Sequence, residues 1–304
     1  MASAVPAARR LASDAAGNRG RHLTDAVATV ILWLMAVSII LMLIAFIAYL
    51  FYLGFGSLSW QFLTGPPSQQ AGGGIGPEIY NSFYILVLTL AFTVPISLAA
   101  GIYLQEYARP GLFRSVVQFS AESLATVPSI VMGLFGLLIF VFYFHWGFPA
   151  LGGALTMTLL NLPALMRVTQ EALASVPDSL REASVGLGAT KWQTVVRTVL
   201  PSAIGRLTTG VVLIAGRIFG ETAALIFTAG LSVSANHPYE LNPFRSAETL
   251  AIHLWYTHSE SVIPDVDRVG NGSALVLLIM VLAFNIAARV VGAALTKRFT
   301  GRSS

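Results

Sequence analysis

Long apolar runs separated by polar loops dominate the sequence. A run of about 20 apolar residues is long enough to cross the hydrocarbon core of a bilayer. Six such runs predict six membrane-spanning helices, at residues 26–55, 79–104, 119–144, 154–168, 207–231 and 273–293. The pattern therefore predicts an all-α integral membrane protein.

The composition supports this class. Of the 304 residues, 55% are hydrophobic and only 11% are charged, whereas about a quarter of the residues in a soluble domain are charged. The sequence contains no cysteine, which excludes a disulfide framework, thiolate chemistry and cysteine metal ligands. We therefore expect a multi-pass membrane protein.

The basic residues predict the orientation of the chain. Six spans place both termini on one side of the membrane. All 18 Lys and Arg residues except Arg217, Arg245 and Arg268 fall on that side. By the positive-inside rule, both termini are cytoplasmic. The net charge of +4 therefore indicates topology and a face for membrane lipid, and not a nucleic-acid partner.

The same pattern divides the chain into segments. Residues 1–25 are expected to form a disordered cytoplasmic leader, and the apolar run after them is too long to be the core of a signal peptide. Residues 26–78 hold the first span and an external loop rich in Gly and Pro. Residues 79–293 form the main transmembrane domain, with a cytoplasmic loop at 170–203, and residues 294–304 form a basic cytoplasmic tail.

That cytoplasmic loop predicts two short helices. Ser175 with Asp178, and Thr190 with Gln193, each have capping-box spacing. Gly186 and Gly188 are expected to end the first helix. Pro201 is expected to break the chain before the next span.

The loop also carries a specific motif. Glu182, Ala183 and Ser184 are followed by Gly188 and then by Leu200-Pro201. This spacing resembles the EAA loop of ATP-binding-cassette (ABC) importer permeases, although Ser184 and Thr198 replace the more usual Ala and Ile. In that family the loop docks onto a cytoplasmic ATPase. The alternative is an ordinary connector with two surface helices.

Further segments resemble the "A" permease of the phosphate-specific uptake system. They are Gly74-Ile-Gly-Pro77, Asn81-Ser-Phe-Tyr84, Pro95 through Tyr107, Leu160-Asn-Leu-Pro163 and Gly216-Arg-Ile-Phe-Gly-Glu-Thr-Ala224. The resemblance implies a type I ABC importer permease in the bacterial inner membrane. It also implies three partners: a homologous "C" permease, a homodimeric ABC ATPase and an extracytoplasmic phosphate-binding protein. ATP and Mg would bind to the ATPase, so no cofactor and no enzymatic activity are expected in this chain.

A candidate substrate site lies in the fifth predicted span. Arg217 and Glu221 are one helical turn apart there, so their side chains are expected to touch. The planar guanidinium suits an oxyanion such as phosphate. Glu221 would partly neutralise Arg217 in the empty site, and Thr222 would add a neutral donor. The structural alternative is a buried ion pair that fixes the helix against its neighbours.

Other functions stay open at this point. The same transporter would suit sulfate, molybdate or phosphonate, and a chain that reports phosphate status without transporting is an alternative of another class. The segment Gly186–Lys191 lacks the spacing of a phosphate-binding loop. His253 and His258 lack the zinc-peptidase pattern, so no metal site is expected. Glu122, near the start of the third span, is expected to serve structure or gating.

Overall fold

The chain is almost entirely helical. The computed structural model describes residues 5–233 and 237–300, and the side chains of 25–233 and 237–294. No strand occurs in these ranges. The helices are α1 (Val5–Gly54), α2 (Trp60–Thr64), α3 (Gly76–Ile102), α4 (Leu112–Ala125), α5 (Ser129–Gly136), α6 (Ala150–Ala174), α7 (Asp178–Gly186), α8 (Lys191–Thr194), α9 (Leu200–Gly220), α10 (Ala223–Ile226), α11 (Leu250–Ser259) and α12 (Val266–Thr300). Short 3₁₀ or π turns occupy Phe55–Ser57, Tyr103–Tyr107, Leu137–Tyr143 and Val195–Val199.

The chain forms two units, Met1–Leu53 and Gly54–Ser304. The first unit contains nearly all of α1, whose described side chains are mostly exposed and apolar. Such a helix suits contact with lipid along its length. The helix begins at Val5, inside the segment expected to be a disordered leader. This difference has a local reason, because Ala and Arg, which are frequent there, have high helix propensity.

The second unit is built on α3, α6, α9 and α12. Helix α3 packs along α6, and α9 packs between α6 and α12. The main core is formed mostly by apolar side chains of these helices, among them Ile85, Leu86, Met157, Leu160, Leu165, Ile214, Ile218 and Val276. A second, smaller core lies at the opposite end of α6 from Ala150 and contains Leu173, Val176, Val199, Ala203 and Leu207.

Within the described residues, five helical segments are long and apolar enough to cross a membrane, at Asp25–Ser57, Gly76–Tyr107, Ala150–Ala174, Lys191–Gly220 and Val266–Ala294. These segments confirm five of the predicted spans. The third predicted span is instead a bent pair, because α4 and the helix from Ser129 to Tyr143 meet at 100°. Pro128 precedes the second helix of the pair, and its ring and missing N–H prevent one straight helix. The side of the membrane occupied by the termini stays a prediction.

Two further boundaries differ from expectation. Pro201 does not break the chain, because α8, a π turn at Val195–Val199 and α9 run on continuously. Pro201 follows the π turn closely, and local π adjustments of this kind accommodate a helix-breaking proline in a membrane span. The fifth span ends at Gly220, eleven residues earlier than predicted.

The contact between α3 and α6 depends on Gly101. A Cβ atom at this position would lie 2.6 Å from the Thr169 side chain and 3.0 Å from the Met166 carbonyl oxygen. Gly101→Val should therefore force the helices apart and cost about 1–3 kcal/mol of stability, as overpacking does. We expect a lower melting temperature in detergent. Gly111→Val is the control, because a Cβ there meets nothing within 4 Å, and an equal loss in both variants would contradict this packing argument.

Candidate functional site

Helix α9 has one buried face and one exposed face. Ala203, Leu207, Gly210, Ile214 and Ile218 are buried and follow a helical period. The exposed face carries a cationic and hydroxyl-bearing stripe, which consists of Ser202, Arg206, Thr209, Leu213 and Arg217. The sequence therefore packs α9 by its apolar side and turns a polar side outward within a membrane span.

Arg217 lies in the last turn of α9, near the end of this span. Its side chain is exposed, and it forms no ion pair or hydrogen bond with any residue that the structure describes. A cationic side chain near the end of a span can extend to water at the membrane interface. The exposed side chain of Arg217 is therefore open to water or to another protein.

Arg206 extends the same face toward the start of the helix. Eleven residues separate it from Arg217, which corresponds to roughly 16 Å along an α-helix. Arg206 and Thr209 line a cavity of about 480 Å³ between α9 and Val168 of α6. The exposed stripe of α9 thus has a cavity around Arg206 and Thr209 and a second cation, Arg217, beyond that cavity.

The expected pairing of Arg217 with Glu221 is wrong in its geometry. Helix α9 ends at Gly220, and Glu221 has extended backbone with ψ of 122°. Side chains four residues apart meet only on a continuous helix. The Glu221 carboxylate instead accepts a hydrogen bond from the Ala224 N–H at 3.3 Å, at the start of α10. Thr222 is half-buried in the same break.

The sequence reasoning did not identify a second polar cavity, beside α6. Its volume is about 510 Å³, and its lining includes Gln105, Glu122, Arg167 and Glu171. Arg167 lies 3.5 Å from Glu122 and 3.2 Å from Glu171. This network connects α4 to α6, which agrees with a structural or gating role for Glu122. In the sequence, the four-residue spacing of Arg167 and Glu171 indicates this ion pair.

The loop between α6 and α9 presents the EAA-like motif at its surface. Glu182 and Ala183 are exposed on α7, and the Ser184 hydroxyl lies 2.9 Å from the Thr194 hydroxyl on α8. Gly188 has a φ of +85°, a conformation that favours glycine. The turn at Gly188 therefore sets the angle between the two short helices.

One of the two predicted capping boxes is present. Thr190 and Gln193 form it at the start of α8. The one expected at Ser175 is wrong, because Ser175 follows the end of α6 and its hydroxyl donates to the Ala172 carbonyl at 2.7 Å. Pro177 precedes α7 instead, without a side-chain cap.

Arg181 anchors α7 to the spans, and the sequence analysis did not identify this role. Its guanidinium lies 2.9 Å from the Glu106 carboxylate beyond the end of α3, and both side chains are largely buried. It also donates to the carbonyl oxygens of Leu173 and Val176. A charge-assisted network of this kind holds the short helix in a defined position.

Exposed apolar side chains lie in the same loop as Glu182. Leu187 is 90% exposed, Trp192 is 62% exposed, and Leu180 and Val185 are also exposed. Leu200 and Pro201 are half-buried and lie at the start of α9, away from the tip of the loop. Several exposed large apolar side chains in one loop are typical of a protein-binding surface.

Comparisons with known proteins agree with this architecture. Residues 93–301 match the family described as "Binding-protein-dependent transport system inner membrane component". The chain is 43% identical to the "Probable ABC transporter permease protein YqgI" of Bacillus subtilis over 92% of this chain and 99% of that protein. It is 34% identical to the "Phosphate transport system permease protein PstA 1" of Mycobacterium tuberculosis, over 78% of this chain and 75% of that protein.

Solved structures show the same fold at low identity. A structure of a bacterial alginate ABC transporter in complex with its periplasmic protein has a TM-score of 0.62 at 16% identity, covering 87% of this chain and 96% of that chain. An inward-facing structure of the MetNI methionine ABC transporter has a TM-score of 0.55 at 18% identity, covering 73% of this chain and 94% of that chain.

The family match covers more than half of the chain, and the long apolar helices agree with it. The protein therefore belongs to the binding-protein-dependent transport system inner membrane components, as a multi-pass permease subunit of a type I ABC importer.

Proposed function

We propose that this permease carries inorganic phosphate and forms half of the pathway together with a homologous "C" permease. The observation that carries the proposal is Arg217, a cation without a partner in the described residues, on the exposed face of a membrane span. Phosphate carries between one and two negative charges near neutral pH, and the guanidinium offers it a planar set of donors. Similarity to phosphate permeases named PstA supports this substrate.

The break after α9 changes the proposed role of its neighbours. Glu221 caps α10 and does not neutralise Arg217, so the full charge of Arg217 is available to the anion. Glu221 then holds the position of the break, and Thr222 supplies a neutral hydroxyl donor to the pathway. Release of phosphate would depend on the movement of the two permeases and not on competition from Glu221.

The proposed energy source is a homodimeric ATPase that binds ATP and Mg and docks on α7 and α8. An extracytoplasmic phosphate-binding protein delivers the substrate. ATP binding closes the ATPase dimer, the loop around Glu182 transmits this movement, and the part of the pathway that holds Arg217 turns outward. The Arg181 network supports such transmission, because it fixes α7 to the ends of α3 and α6.

A cellular experiment tests the substrate. In a strain that lacks this chain, uptake of labelled phosphate at micromolar concentration should fall and should return when the chain is supplied. Unchanged uptake together with an altered phosphate-responsive reporter would favour the signalling alternative and contradict transport. Lost uptake of sulfate, molybdate or phosphonate, with normal phosphate uptake, would assign another oxyanion.

Replacing Glu182 should separate ATP hydrolysis from transport. The side chain is exposed, so Glu182→Gln should leave folding intact. We expect uptake to fall by on the order of tenfold, the size of a typical coupling free energy, while the complex still assembles. Glu260→Gln is the control, because it removes an exposed carboxylate at the end of α11. Normal uptake in Glu182→Gln would contradict the coupling role.

A further inference from the structure

Three titratable side chains from separate segments meet in the second unit, away from α9. Glu78 lies in the first turn of α3, Glu248 precedes α11, and His253 lies within α11. Ligand atoms of all three lie within 4.8 Å of one another. His253 Nδ1 is 2.9 Å from Glu248 Oε1 and 3.9 Å from Glu78 Oε1.

The cluster is deeply buried and incompletely paired. The Glu78 side chain is 0% exposed, and that of Glu248 is 6% exposed. Within the described part of the chain, both carboxylate oxygens of Glu78 and Nε2 of His253 have no hydrogen-bond partner. Buried polar groups without partners are rare in folded proteins, so a carboxylate aimed at this cluster indicates a ligand between the three side chains.

The backbone around the cluster is held firmly. The Ser82 hydroxyl donates to the Glu78 carbonyl oxygen at 2.7 Å and accepts from the Leu250 N–H at 2.9 Å. The Asn81 amide donates to the Glu248 carbonyl oxygen at 3.0 Å. These bonds tie α3 to the start of α11 and fix the two carboxylates relative to each other, as a preformed site requires.

The charges favour a divalent cation. Two ionised carboxylates and a protonated imidazole would leave a net charge of −1 in a buried position, which costs several kcal/mol unless a proton on Glu78 or a bound cation neutralises it. A dication bound to both carboxylates and a neutral imidazole gives a net charge of zero. Two ligand atoms of a tetrahedral zinc ion lie roughly 3.3 Å apart, since each is about 2.0–2.1 Å from the metal. The distances from His253 Nδ1 to the two carboxylates, 2.9 and 3.9 Å, bracket that value.

We propose that Glu78, Glu248 and His253 bind a first-row transition-metal dication of the Zn²⁺ class. The mixture of carboxylate and imidazole ligands favours such an ion over Mg²⁺ or Ca²⁺, which prefer oxygen ligands alone. The ion would link the first turn of α3 to α11. A cavity of about 410 Å³, lined in part by Glu248, His253 and Glu260, lies beside the site and provides an access route.

Metal binding would compete with protonation of the cluster. Carboxylates must be ionised and the imidazole must be neutral to act as ligands, so affinity should rise as the pH increases.

The experiment uses the full chain in its assembled complex, purified through a tag without histidine and treated with a chelator. Zn²⁺ is then added, and bound metal is measured by elemental analysis after gel filtration. We expect one tightly bound Zn²⁺ per copy of this chain, not displaced by excess Mg²⁺, with weaker binding at lower pH. Thermal unfolding should shift upward when Zn²⁺ is added.

Three variants identify the ligands. Glu78→Gln and Glu248→Gln keep the shape of the side chain and should weaken binding by more than roughly 100-fold, since loss of an outer-shell partner alone costs 10- to 100-fold. His258→Gln, on the same helix, should bind like the parent, because His258 is exposed and points to the Leu254 carbonyl. Absence of stoichiometric Zn²⁺ in the parent complex would overturn the proposal, as would unchanged binding in the folded Glu78→Gln variant.

Discussion

Replacing Arg217 with glutamine should abolish most ATP-driven phosphate uptake while the complex still assembles. Arg217 has no partner in the described residues, so its loss leaves no buried carboxylate uncompensated. Each charge-assisted hydrogen bond to the anion contributes about 1.5–3 kcal/mol, which corresponds to roughly 10- to 100-fold in binding. The guanidinium can form two such bonds with one phosphate, so we expect a loss of at least about 100-fold.

Two control variants make this result specific. Arg217→Lys keeps the charge but loses the planar pair of donors, so it should retain partial uptake. Arg109→Gln removes the same charge from an exposed loop after α3 and should transport normally. Uptake and assembly would be measured on the same vesicles. Wild-type uptake in an assembled Arg217→Gln complex would make Arg217 a structural residue.

The second large effect is expected at Gly188. Its φ of +85° lies in the left-handed region, which costs other residues about 1–2 kcal/mol and costs a β-branched residue more. Gly188→Val should therefore change the angle between α7 and α8. A strain energy of about 1–2 kcal/mol corresponds to roughly 5- to 30-fold in the equilibrium between the native and the altered loop conformation. We expect uptake to fall by a similar factor while the spans remain folded.

Gly186 offers a matched control for this prediction. Gly186 ends α7 without a positive φ, and a Cβ at either glycine meets nothing within 4 Å. Gly186→Val and Gly188→Val thus differ mainly in backbone strain. Uptake per assembled complex, with ATP hydrolysis measured in parallel, distinguishes them. Equal losses in the two variants would show that the sign of φ at Gly188 has no importance.

The hydrophobic pattern predicted the fold class because a bilayer imposes a fixed length on each span. The predicted bounds of the spans in α1, α3, α6 and α12 lie within several residues of the observed membrane-spanning segments. The pattern failed at Pro128, where the apolar run continues through a bend of 100°. Hydropathy records whether a segment is apolar and contains no information about its direction.

The candidate site was predictable in part. The helical period places Arg217 on α9, but the expected contact with Glu221 required a helix that continues past Gly220. Gly220 has no side chain to pack, and the chain turns to extended backbone directly after it. The hydropathy of the sequence does not show the end of the helix at Gly220, because mostly apolar residues continue after it. The predicted span was therefore extended to residue 231.

Contacts between distant segments were beyond sequence reasoning. Arg181 of α7 pairs with Glu106 beyond the end of α3, and His253 contacts Glu78 from far along the chain. The spacing of His253 and His258 suggested no metal site, because the other ligands come from α3 and from the loop before α11. Only the packing of α3 against α11 brings them together.

The most direct test of the proposed function is uptake by the reconstituted complex. Vesicles would contain this chain with its partner permease and ATPase, and the cognate binding protein would be added with labelled phosphate or labelled sulfate. We expect phosphate to accumulate only when ATP is present on the side of the vesicle membrane that carries the ATPase. Sulfate should not accumulate. Accumulation of sulfate or molybdate without phosphate would contradict the substrate, and phosphate entry independent of ATP would contradict the mechanism.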